Sequence, residues 1–599
     1  MSRDQTTPPA GKPLRDYAAI GDGRTVALIA RDGGVDWLPV PDLGSTPVFA
    51  RLLDDDTGGC IELSPVEEVT RVRRRYVRGT NVLQTTFDTA SGSVRVTDAL
   101  VTGIAGRLPW AELARRVDAL SGSVPMAWSV RPGTRLGTVS PWLQNADGTA
   151  VIRTGDTSIG VTGHEHGPDH PADGPHDRLT GSFTATDGSR HVLVVSATHD
   201  EPLHLPDPLT VDRGIDRTVE NWRTWSKEFS YEGPWADAVQ RSALALKLLI
   251  YSPTGAIAAA ATTSLPESPL GGKNWDYRFA WVRDAAYTVQ ALVRFGLREE
   301  THAALSWLLK TIKGNGPELH IFYGLDGSVP SEVREYDVPG WRGIGPVVSG
   351  NGAQNQLQLG VFGDLFAICR SYVDAGNVLD IGTGRLLADL ADRTCDLWRN
   401  RDAGMWELEE PQHYTSSKMG CWLALDAAVH LAEAGQIAGS ASRWSFERER
   451  IRDWIDEQGW SEELGAYTMY PGSAALDASV LLHAPSGFDR GERMNSTIDA
   501  VSSELARGNL VLRYSGMEAE EHPFVACSFW LASALACVGR LDEAVTLMDA
   551  LVTELPNDVG LLAEMIAVDD GAFWGNLPQG LSHLALIDAA LTIEQLSRD

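Results

Sequence analysis

Basic residues and long apolar runs are both scarce in this chain of 599 residues. Lysine and arginine total 51 against 80 acidic residues, which gives a formal net charge of −29 at pH 7. Phosphate groups would be repelled by such a chain, so neither a nucleic acid nor an anionic membrane is expected as a partner. No apolar run reaches the ~18 residues that a transmembrane helix needs, so no such helix is expected.

Cysteine is also scarce, with six residues and no CxxC pair. Most of the cysteines lie in apolar stretches, so we expect buried thiols in a reducing compartment rather than a disulfide framework or a zinc site. The polar segment 1–13 lacks the apolar core of a signal peptide. Both observations predict a cytoplasmic protein.

Several common catalytic motifs are missing as well. Residues 271–273 (GGK) lack the rest of a phosphate-binding loop, residues 350–352 (GNG) are not completed to GxGxxG, and neither GxSxG nor HExxH occurs. The loop 163–177 contains His164, His166, His170 and His176. Its glycine, proline and aspartate content is typical of a solvated loop that does not order metal ligands. We therefore expect no metal and no other cofactor.

The first 200 residues have the pattern of short strands. Segments 81–87, 93–97 and 191–197 are rich in valine and threonine, and Asp-Gly turn dipeptides recur along this part of the chain. Residues 182–196, with an Asp-Gly pair near the middle, match a hairpin. Many short antiparallel strands with frequent turns predict a β-sandwich, which we assign to residues 1–205.

The periodicity of apolar residues changes near residue 209. Ile215, Val219, Trp222 and Trp225 follow a helical spacing, which predicts a linker helix within residues 206–234. About a dozen amphipathic segments follow from residue 235 onward. The clearest of them lie at 236–249, 285–293, 354–367, 386–398, 418–434, 524–538 and 541–551. This number suits paired inner and outer rings of helices, although periodicity by itself fits a solenoid equally well.

Four loops in the helical half combine tryptophan, tyrosine, arginine and carboxylates. They are KNWDYRFAWVRD at 273–284, GMWELEEPQHYTSSK at 404–418, LRY at 512–514 and LLAEMIAVDDGAFWGNLPQGLSHLAL at 561–586. Aromatic rings pack on the faces of sugars, while arginines and carboxylates bind hydroxyl groups. Glycoside hydrolysis uses one carboxylic acid to protonate the leaving oxygen and a second carboxylate facing it. The loops therefore indicate a small-molecule carbohydrate as the substrate.

Several stretches resemble glycoside hydrolase family 15, and they follow one another in the family's order. They are 236–286, GNGAQNQLQL at 350–359, the WE pair at 406–407 and GNLPQGLSHLALI at 575–587. Residues 16–41 resemble the opening of the β-domain in two-domain bacterial members, which include glucoamylases and trehalases. The resemblance implies an N-terminal β-sandwich joined to an (α/α)6 barrel at 235–599. It also implies inverting hydrolysis of α-glucosides.

Position by position, the resemblance implies roles for nine side chains. Glu407, which follows Trp406, matches the general acid, and Glu564 in LLAEM matches the general base. Tyr277 matches a tyrosine near the base and its water, and Arg283, Asp284 and Arg513 match residues that bind the sugar. The pocket walls are then Trp275, Trp281 and Trp406. Because a tryptophan precedes Glu407 and Glu409 and Glu410 follow it, we expect the pKa of the acid to be shifted upward.

Three departures from the family pattern fall in these loops. Many two-domain relatives carry WExRGxP after the acid, whereas this chain has WELEEP. Relatives often continue from the base as EEYDP or EEIDP, whereas Glu564 is followed by Met565, and Phe279 stands where many relatives have tyrosine. We expect a pocket-type, exo-acting enzyme that cleaves disaccharides or short oligosaccharides and releases β-glucose. Trehalose, isomalto-type and malto-type glucosides all stay open as substrates.

Two alternatives from other functional classes use a similar barrel. A carbohydrate-binding protein would be expected to have lost one carboxylate, and both are present. A phosphorylase would use phosphate in place of the base, so the presence of Glu564 favours water as the nucleophile. A homo-oligomer is compatible with the sequence, which leaves the oligomeric state open.

Overall fold

The structure, a computed structural model, describes residues 11–598 except 105–106, 147–148, 164–177, 230 and 317. The four histidines of the loop 163–177 lie outside the described residues. Strands dominate the chain up to residue 199, and helices dominate it from residue 208 onward.

Two antiparallel sheets make up the N-terminal region. Their strands are β1 (Ala18–Gly21), β2 (Val26–Ile29), β3 (Val35–Pro39), β4 (Pro47–Phe49), β5 (Gly59–Pro65), β6 (Val69–Tyr76), β7 (Leu83–Thr89), β8 (Gly92–Leu100), β9 (Ala111–Pro132), β10 (Trp142–Ala146), β11 (Thr149–Thr154), β12 (Thr157–Gly163), β13 (Leu179–Thr186) and β14 (Arg190–His199). One sheet has the order β1-β2-β3-β5-β9-β13, with β4 beside β3. The other has the order β6-β7-β8-β9-β14-β12-β11-β10.

The 22-residue strand β9 belongs to both sheets. Its first half pairs with β8 and β14, and its second half pairs with β5 and β13. Gly122, which has a φ of +74°, lies where β9 passes from one set of partners to the other. A glycine is favoured there because residues with a Cβ rarely adopt positive φ.

The hairpin predicted at 182–196 is wrong in its pairing. The turn itself is present, since the Ser189 N–H donates to the Thr186 carbonyl at 2.7 Å and Gly188 has a φ of +75°. The strands on either side, β13 and β14, pair with different halves of β9 and not with each other. An Asp-Gly dipeptide specifies a local reversal of the chain, whereas the pairing partner here is a strand far away in the sequence.

A buried core fills the space between the two sheets. Phe87 of β7 is buried and lies close to Gly33, which connects β2 and β3 of the other sheet. Arg115 of β9 crosses the same core: its Nε pairs with Asp98 at 2.7 Å, and its Nη2 donates to the Gly33 carbonyl at 2.6 Å. A fully buried charge needs such partners because leaving it unpaired is costly. The prediction of an N-terminal β-sandwich is confirmed.

Helix α1 (Pro208–Glu228) connects the strands to the helical region. The Asp207 side chain accepts a hydrogen bond from the Thr210 N–H at 3.1 Å, and a proline occupies the first helical position. Both features are typical of a helix start. Ile215 and Trp222 are buried, and the helix packs against β9 and β14.

The remaining described helices form two rings. They are α2 (Ala236–Leu249), α3 (Val282–Arg294), α4 (Arg298–Gly314), α5 (Gly360–Asp374), α6 (Ile381–Leu397), α7 (Thr415–Glu433), α8 (Ala441–Trp454), α9 (Glu492–Leu505), α10 (Val525–Cys537), α11 (Leu541–Glu554) and α12 (Gly580–Arg598). The inner ring is α3, α5, α7, the short 3₁₀ helix Ala478–His483, α10 and α12, and each contacts the next until α12 meets α3. This closure makes the region a barrel and excludes a solenoid.

Short elements fill the loops of the barrel. Two-stranded ladders pair Ile250–Tyr251 with Ala256–Ile257, Ala280–Trp281 with Phe322–Tyr323, Arg334–Tyr336 with Val347–Ser349, Trp460–Ser461 with Ala466–Tyr467, Ala506–Arg507 with Leu510–Val511, and Met565–Ile566 with Phe573–Trp574. Other short helical turns are Leu14–Asp16, Trp341–Gly343, Gly352–Asn355 and Ile455–Gly459. The predicted combination of a β-sandwich and an (α/α)6 barrel is confirmed.

The β-sandwich and the barrel share one continuous apolar core. Trp37 of β3 is completely buried, and its Nε1 donates to the carbonyl of Ala261 in the barrel at 3.0 Å. Asn557 of the barrel donates in the other direction, from its Nδ2 to the Tyr17 carbonyl at 2.8 Å. With apolar packing and hydrogen bonds both continuous across the boundary, we expect the two regions to unfold together.

Replacing Trp37 by alanine should lower the free energy of unfolding by about 3–5 kcal/mol, the usual cost of deleting a large buried aromatic side chain. Chemical denaturation followed by circular dichroism measures this value. Trp142 on β10 is 54% exposed and provides a matched control. W142A should change the free energy of unfolding by no more than about 0.5 kcal/mol. Equal losses in both variants would contradict the importance of Trp37 for the boundary.

Candidate active site

A pocket of about 380 Å³ opens at one end of the barrel. It is lined by each side chain to which the family resemblance assigned a role: Trp275, Tyr277, Trp281, Arg283, Asp284, Trp406, Glu407, Arg513 and Glu564. The pocket is in the size range of sites for small molecules. Its two glutamates come from loops that are far apart in sequence, and only the closed ring of helices brings them together.

The pocket lies where inner helices begin. Its walls come from the first residues of α3 and α12 and from the segments that precede α5, α7 and α10. A helix N-terminus carries a partial positive charge and N–H groups without partners inside the helix. Several such termini around one pocket favour the carboxylates that line it and offer donors to a polar ligand.

Glu407 is held by tryptophan and by an unusual backbone conformation. The Trp281 Nε1 donates to Glu407 Oε1 at 2.9 Å, and the Gln356 Nε2 donates to the Glu407 backbone carbonyl at 3.2 Å. Its φ is +59°, a region that residues with a Cβ seldom adopt and that concentrates at functional sites. Burial raises the pKa of Glu407 above its ordinary value, although the Trp281 hydrogen bond and Arg283 lower it. This carboxyl therefore keeps its proton to a higher pH than an exposed glutamate.

Glu564 is fully buried directly before the short strand Met565–Ile566. Its Oε2 accepts a hydrogen bond from the Asn576 N–H at 3.2 Å. Gly575 has a φ of +78°, and a Cβ at this position would overlap the Glu564 carboxylate. Burial, and after it the charge of Glu267, raises the pKa of Glu564 well above its ordinary value.

Arg283 and Asp284 occupy the first turn of α3. Arg283 Nη2 pairs with Asp284 Oδ2 at 2.9 Å, and Arg283 Nη1 donates to the Met405 carbonyl at 3.3 Å. Asp364 of α5 also faces this arginine, and burial raises the pKa of Asp364 to about 7. The guanidinium is thus fixed between two acids and connects α3 to the loop that carries Glu407.

Trp406 and Arg513 form another wall of the pocket. The Trp406 Nε1 donates to Asp477 Oδ1 at 2.8 Å, and Asp477 also accepts the Ser479 N–H at the start of the inner 3₁₀ helix. The Arg513 guanidinium lies 5.4 Å from the centre of a Trp406 ring, which is a cation–π contact. The orientation of the indole is therefore set by its own hydrogen bond and by the arginine on its face.

The sequence analysis missed a buried group of charges beside Glu564. Glu267 and Glu521 are each 1% exposed at the side chain, and Arg513 forms ion pairs with both of them. Lys273 Nζ pairs with Glu521 at 2.5 Å. Glu267 lies in the stretch SLPES, inside a segment quoted for the family resemblance, but no spacing or periodicity connects it to Glu564 or to Arg513.

Three buried polar atoms on the pocket wall have no hydrogen-bond partner within the described protein. They are Asn351 Nδ2, Gln579 Oε1 and Arg513 Nε. Buried polar groups are nearly always paired, so donors and acceptors left open on a pocket wall indicate a polar ligand. Hydroxyl groups, which both donate and accept, suit such a set. Asn351 and Gln579 also lie within quoted stretches of the resemblance and were not predicted as site residues.

The residues that depart from the family pattern lie in different parts of the site. Glu409, in the altered WELEEP loop, lines the pocket and is exposed at its mouth, as is Trp275. Phe279 lies outside the pocket lining and packs against Phe322, with ring centres 5.5 Å apart. The altered loop therefore changes the entrance of the pocket. The replacement of tyrosine by Phe279 changes the packing behind Trp281.

A second cavity of about 280 Å³ runs along the barrel axis. It shares Trp281, Arg283, Met405 and Leu581 with the first pocket and reaches Arg294 at the other end of α3. Neither Glu407 nor Glu564 lines it. We therefore assign the chemistry to the pocket at the mouth of the barrel.

Comparison with known families agrees with this geometry. Residues 233–591 match the family described as glycosyl hydrolases family 15. The chain belongs to this family. As a family 15 member it is a glycoside hydrolase, and residues 9–161 also match the model described as trehalase-like, N-terminal. Within the described part of this hydrolase, every helix is too short or too polar to span a bilayer.

Relatives of this family 15 hydrolase align with it from end to end. A protein named trehalase from Mycobacterium tuberculosis is 34% identical over 97% of this chain and 89% of its own length. A trehalase from Thermoplasma volcanium is 30% identical over 97% of this chain and 94% of its own length. A crystal structure of a bacterial glucoamylase complexed with acarbose matches 98% of this chain and 96% of that chain, with a TM-score of 0.72 and 14% identity. At that identity the likeness concerns the fold.

Gly575 provides a test of how tightly Glu564 is held. G575A should lower kcat at least ~10²-fold, the lower end of acid–base contributions, because the new Cβ displaces the Glu564 carboxylate. Initial rates on a cleaved glucoside measure the effect. Gly571, with a φ of +70°, is the control, because a Cβ there meets only the Arg15 side chain. G571A has a similar backbone cost and should keep near wild-type kcat; equal loss in both variants would mean that the backbone, and not the carboxylate, is responsible.

Proposed function

We propose that this family 15 hydrolase cleaves α,α-trehalose with inversion, using Glu407 as general acid and Glu564 as general base. The proposal is carried by one observation: two carboxyls with raised pKa values, the half-buried Glu407 and the buried Glu564, line the same pocket. Inverting hydrolysis uses such a pair, one to protonate the leaving oxygen and one to activate water. The remaining groups of the pocket are suited to holding a glucose unit between them.

Glu407 has the properties of the acid. A general acid must be protonated at the working pH, which burial of Glu407 favours. The hydrogen bond from Trp281 fixes Oε1, so the other oxygen is free to carry the proton towards the glycosidic oxygen. As the bond to the leaving glucose breaks, that proton passes to the leaving oxygen and Glu407 becomes a carboxylate.

Glu564 has the properties of the base. The Asn576 N–H fixes one of its oxygens, and the Tyr277 hydroxyl lies within hydrogen-bonding reach of the carboxylate. A raised pKa makes an ionised Glu564 a stronger acceptor for the proton of the attacking water. Water attacks on the face remote from the leaving group, so the released glucose has the β configuration at the anomeric carbon.

The innermost glucose is bound by groups deep in the pocket. Arg283 and Asp284 are fixed in the first turn of α3, and Asn351, Gln579 and Arg513, each with a buried polar atom that has no partner within the described protein, line the same pocket. Together they provide donors and acceptors for the hydroxyls of one hexose. Trp281 and Trp406 provide apolar walls for the ring faces.

Trehalose is the substrate that we favour among α-glucosides. The relatives named trehalase align over nearly the whole chain. Charged and hydroxyl side chains at the entrance, among them Lys273, Glu409 and Tyr514, suit a second glucose rather than an extended polysaccharide. An exo-acting pocket for disaccharides and short oligosaccharides follows from this lining, and isomaltose and maltose are the alternatives.

Two further aspects of the sequence analysis are retained as proposals. We propose a cytoplasmic location, which is supported by six free cysteines, five of them buried. We also propose a division into a β-sandwich at 1–205, a linker at 206–234 and a catalytic barrel at 235–599. This division is supported by the end of β14 at His199 and the start of α2 at Ala236.

A substrate panel with acid and base variants tests the proposal. Purified protein should release glucose from trehalose faster than from isomaltose, maltose or soluble starch. E407Q and E564Q should each lower kcat at least ~10²-fold, while the exposed neighbour variant E410Q keeps it near wild type. Circular dichroism checks that each variant is folded. Near wild-type turnover by E407Q or E564Q, or release of glucose 1-phosphate in phosphate buffer, would contradict the mechanism, and tight sugar binding without turnover would favour a binding protein.

The stereochemistry of the product gives an independent test. Inverting glycosidases keep their carboxyls roughly 6.5–9.5 Å apart to admit water, whereas retaining ones close the gap to roughly 5–5.5 Å and form a covalent intermediate. Proton NMR in the first minutes of turnover should show β-glucose before mutarotation, together with an equal amount of the leaving α-glucose when trehalose is the substrate. Release of α-glucose alone would rule out Glu564 as a base.

A further inference from the structure

Glu267 is a buried carboxylate for which hydrolysis itself has no obvious use. It lines the pocket, and its side chain is 1% exposed. Its Oε1 accepts the Tyr277 hydroxyl at 2.8 Å, and its Oε2 accepts Arg513 Nη2 at 3.3 Å. The segment that carries it is closed by a hydrogen bond from the Glu267 N–H to the Lys273 carbonyl at 2.9 Å. Both oxygens and the backbone are therefore fixed.

The charges around Glu267 do not balance. Three buried carboxylates, Glu267, Glu521 and Glu564, share two cations, Arg513 and Lys273. Glu521 is stabilised most by the two cations. Burial raises its pKa, but Arg513 and Lys273 together hold the pKa of Glu521 below its ordinary value. Burial raises the pKa of Glu267 to about 7. Glu267 and Glu564 are thus two neighbouring acids beside a single arginine, Arg513, which also pairs with Glu521.

Tyr277 connects these two acids. Its hydroxyl donates to Glu267 and lies within reach of the Glu564 carboxylate. A hydroxyl has a single proton, so a bond donated to Glu267 directs the oxygen lone pairs elsewhere. The Tyr277 ring is fixed as well, since it packs edge-on against Trp281 with ring centres 5.4 Å apart. The hydroxyl is therefore held in one position beside Glu564.

We propose that Glu267 is a positioning residue for the base: it fixes the Tyr277 hydroxyl beside Glu564, and its negative charge makes Glu564 a stronger proton acceptor. The inference rests on the proposed role of Glu564. It explains why Glu267 lies next to Glu564 in the pocket, although repulsion between two buried carboxylates destabilises the fold. A carboxylate next to another holds its proton more tightly, so a base of higher proton affinity acts nearer to neutral pH.

The sign of the expected pH effect follows from the groups that face Glu564. They are Glu267, Arg513, Tyr277 and the Asn576 N–H, with Lys273 and Glu521 behind Glu267. Activity is lost on the acidic side when Glu564 takes up a proton. The charge of Glu267 raises the pKa of Glu564, so removing that charge lets Glu564 stay ionised to lower pH.

E267Q removes the charge and keeps an oxygen that accepts the Tyr277 hydroxyl. The acidic limb of the kcat/KM profile should move to lower pH by about one unit, the lower end of effects between close charges. The maximum of kcat should fall at the same time, because the base is weaker. A variant that was merely less stable would lose activity without this shift.

E520Q is the matched control. Glu520 is the neighbour of Glu521 in sequence, is 56% exposed at the side chain and pairs with the same Lys273 at 2.8 Å. It does not line the pocket, and its variant should keep the wild-type profile. Thermal unfolding of all the variants separates loss of folded protein from the change in pH dependence.

A second readout does not need turnover. The cationic glucose mimic 1-deoxynojirimycin binds against ionised carboxylates, so the pH at which its Kd rises on the acidic side reports on Glu564. Calorimetry should show this pH lowered in E267Q and unchanged in E520Q. Acidic limbs of E267Q that coincide with wild type in both measurements would overturn the inference. Absence of glucoside cleavage by the wild type, with the calorimetric shift present, would instead count against the proposed function alone.

Discussion

The common direction of the inner helices is the constraint on which the site depends. When α3, α5, α7, α10 and α12 pack side by side in a closed ring, the segments at their N-terminal ends meet at one pocket. Those segments can then vary in sequence while the ring holds their ends in place. The same arrangement directs helix N-termini towards the pocket, where their partial positive charge favours acidic side chains.

The β-sandwich also contributes to the site, although none of its described side chains lines the pocket. Trp37 donates to the carbonyl of Ala261, and the next residue, Thr262, hydrogen-bonds Asn576 at 2.9 Å. Asn576 in turn donates its N–H to Glu564. A chain of direct contacts therefore runs from the core of the first region to the proposed base. This continuity explains why the two regions have one shared core and not a mobile hinge between them.

The two proposed catalytic carboxyls differ in their surroundings. Glu407 has a tryptophan N–H on one oxygen and an unusual positive φ, and it lies in a loop that reaches the entrance. Glu564 is enclosed by Gly575, Asn576 and a second acid, Glu267, which raises its affinity for a proton. The two carboxyls therefore differ in the groups that fix them and in the charges beside them. The group of charges formed by Glu267, Glu521, Arg513 and Lys273 lies beside Glu564.

The two-region architecture could be predicted from the sequence because strand and helix periodicity are local. Glu407 and Glu564 could be proposed because the family motifs around them are recognisable. The sequence predicted a local turn at Asp187-Gly188 but not the partners of β13 and β14, since both pair with distant β9. Closure of the barrel, rather than a solenoid, was likewise decided by tertiary packing. So was the role of Glu267: its effect on Glu564 depends on distances across the pocket and on which cations other acids have already taken, and no pattern along the chain records either.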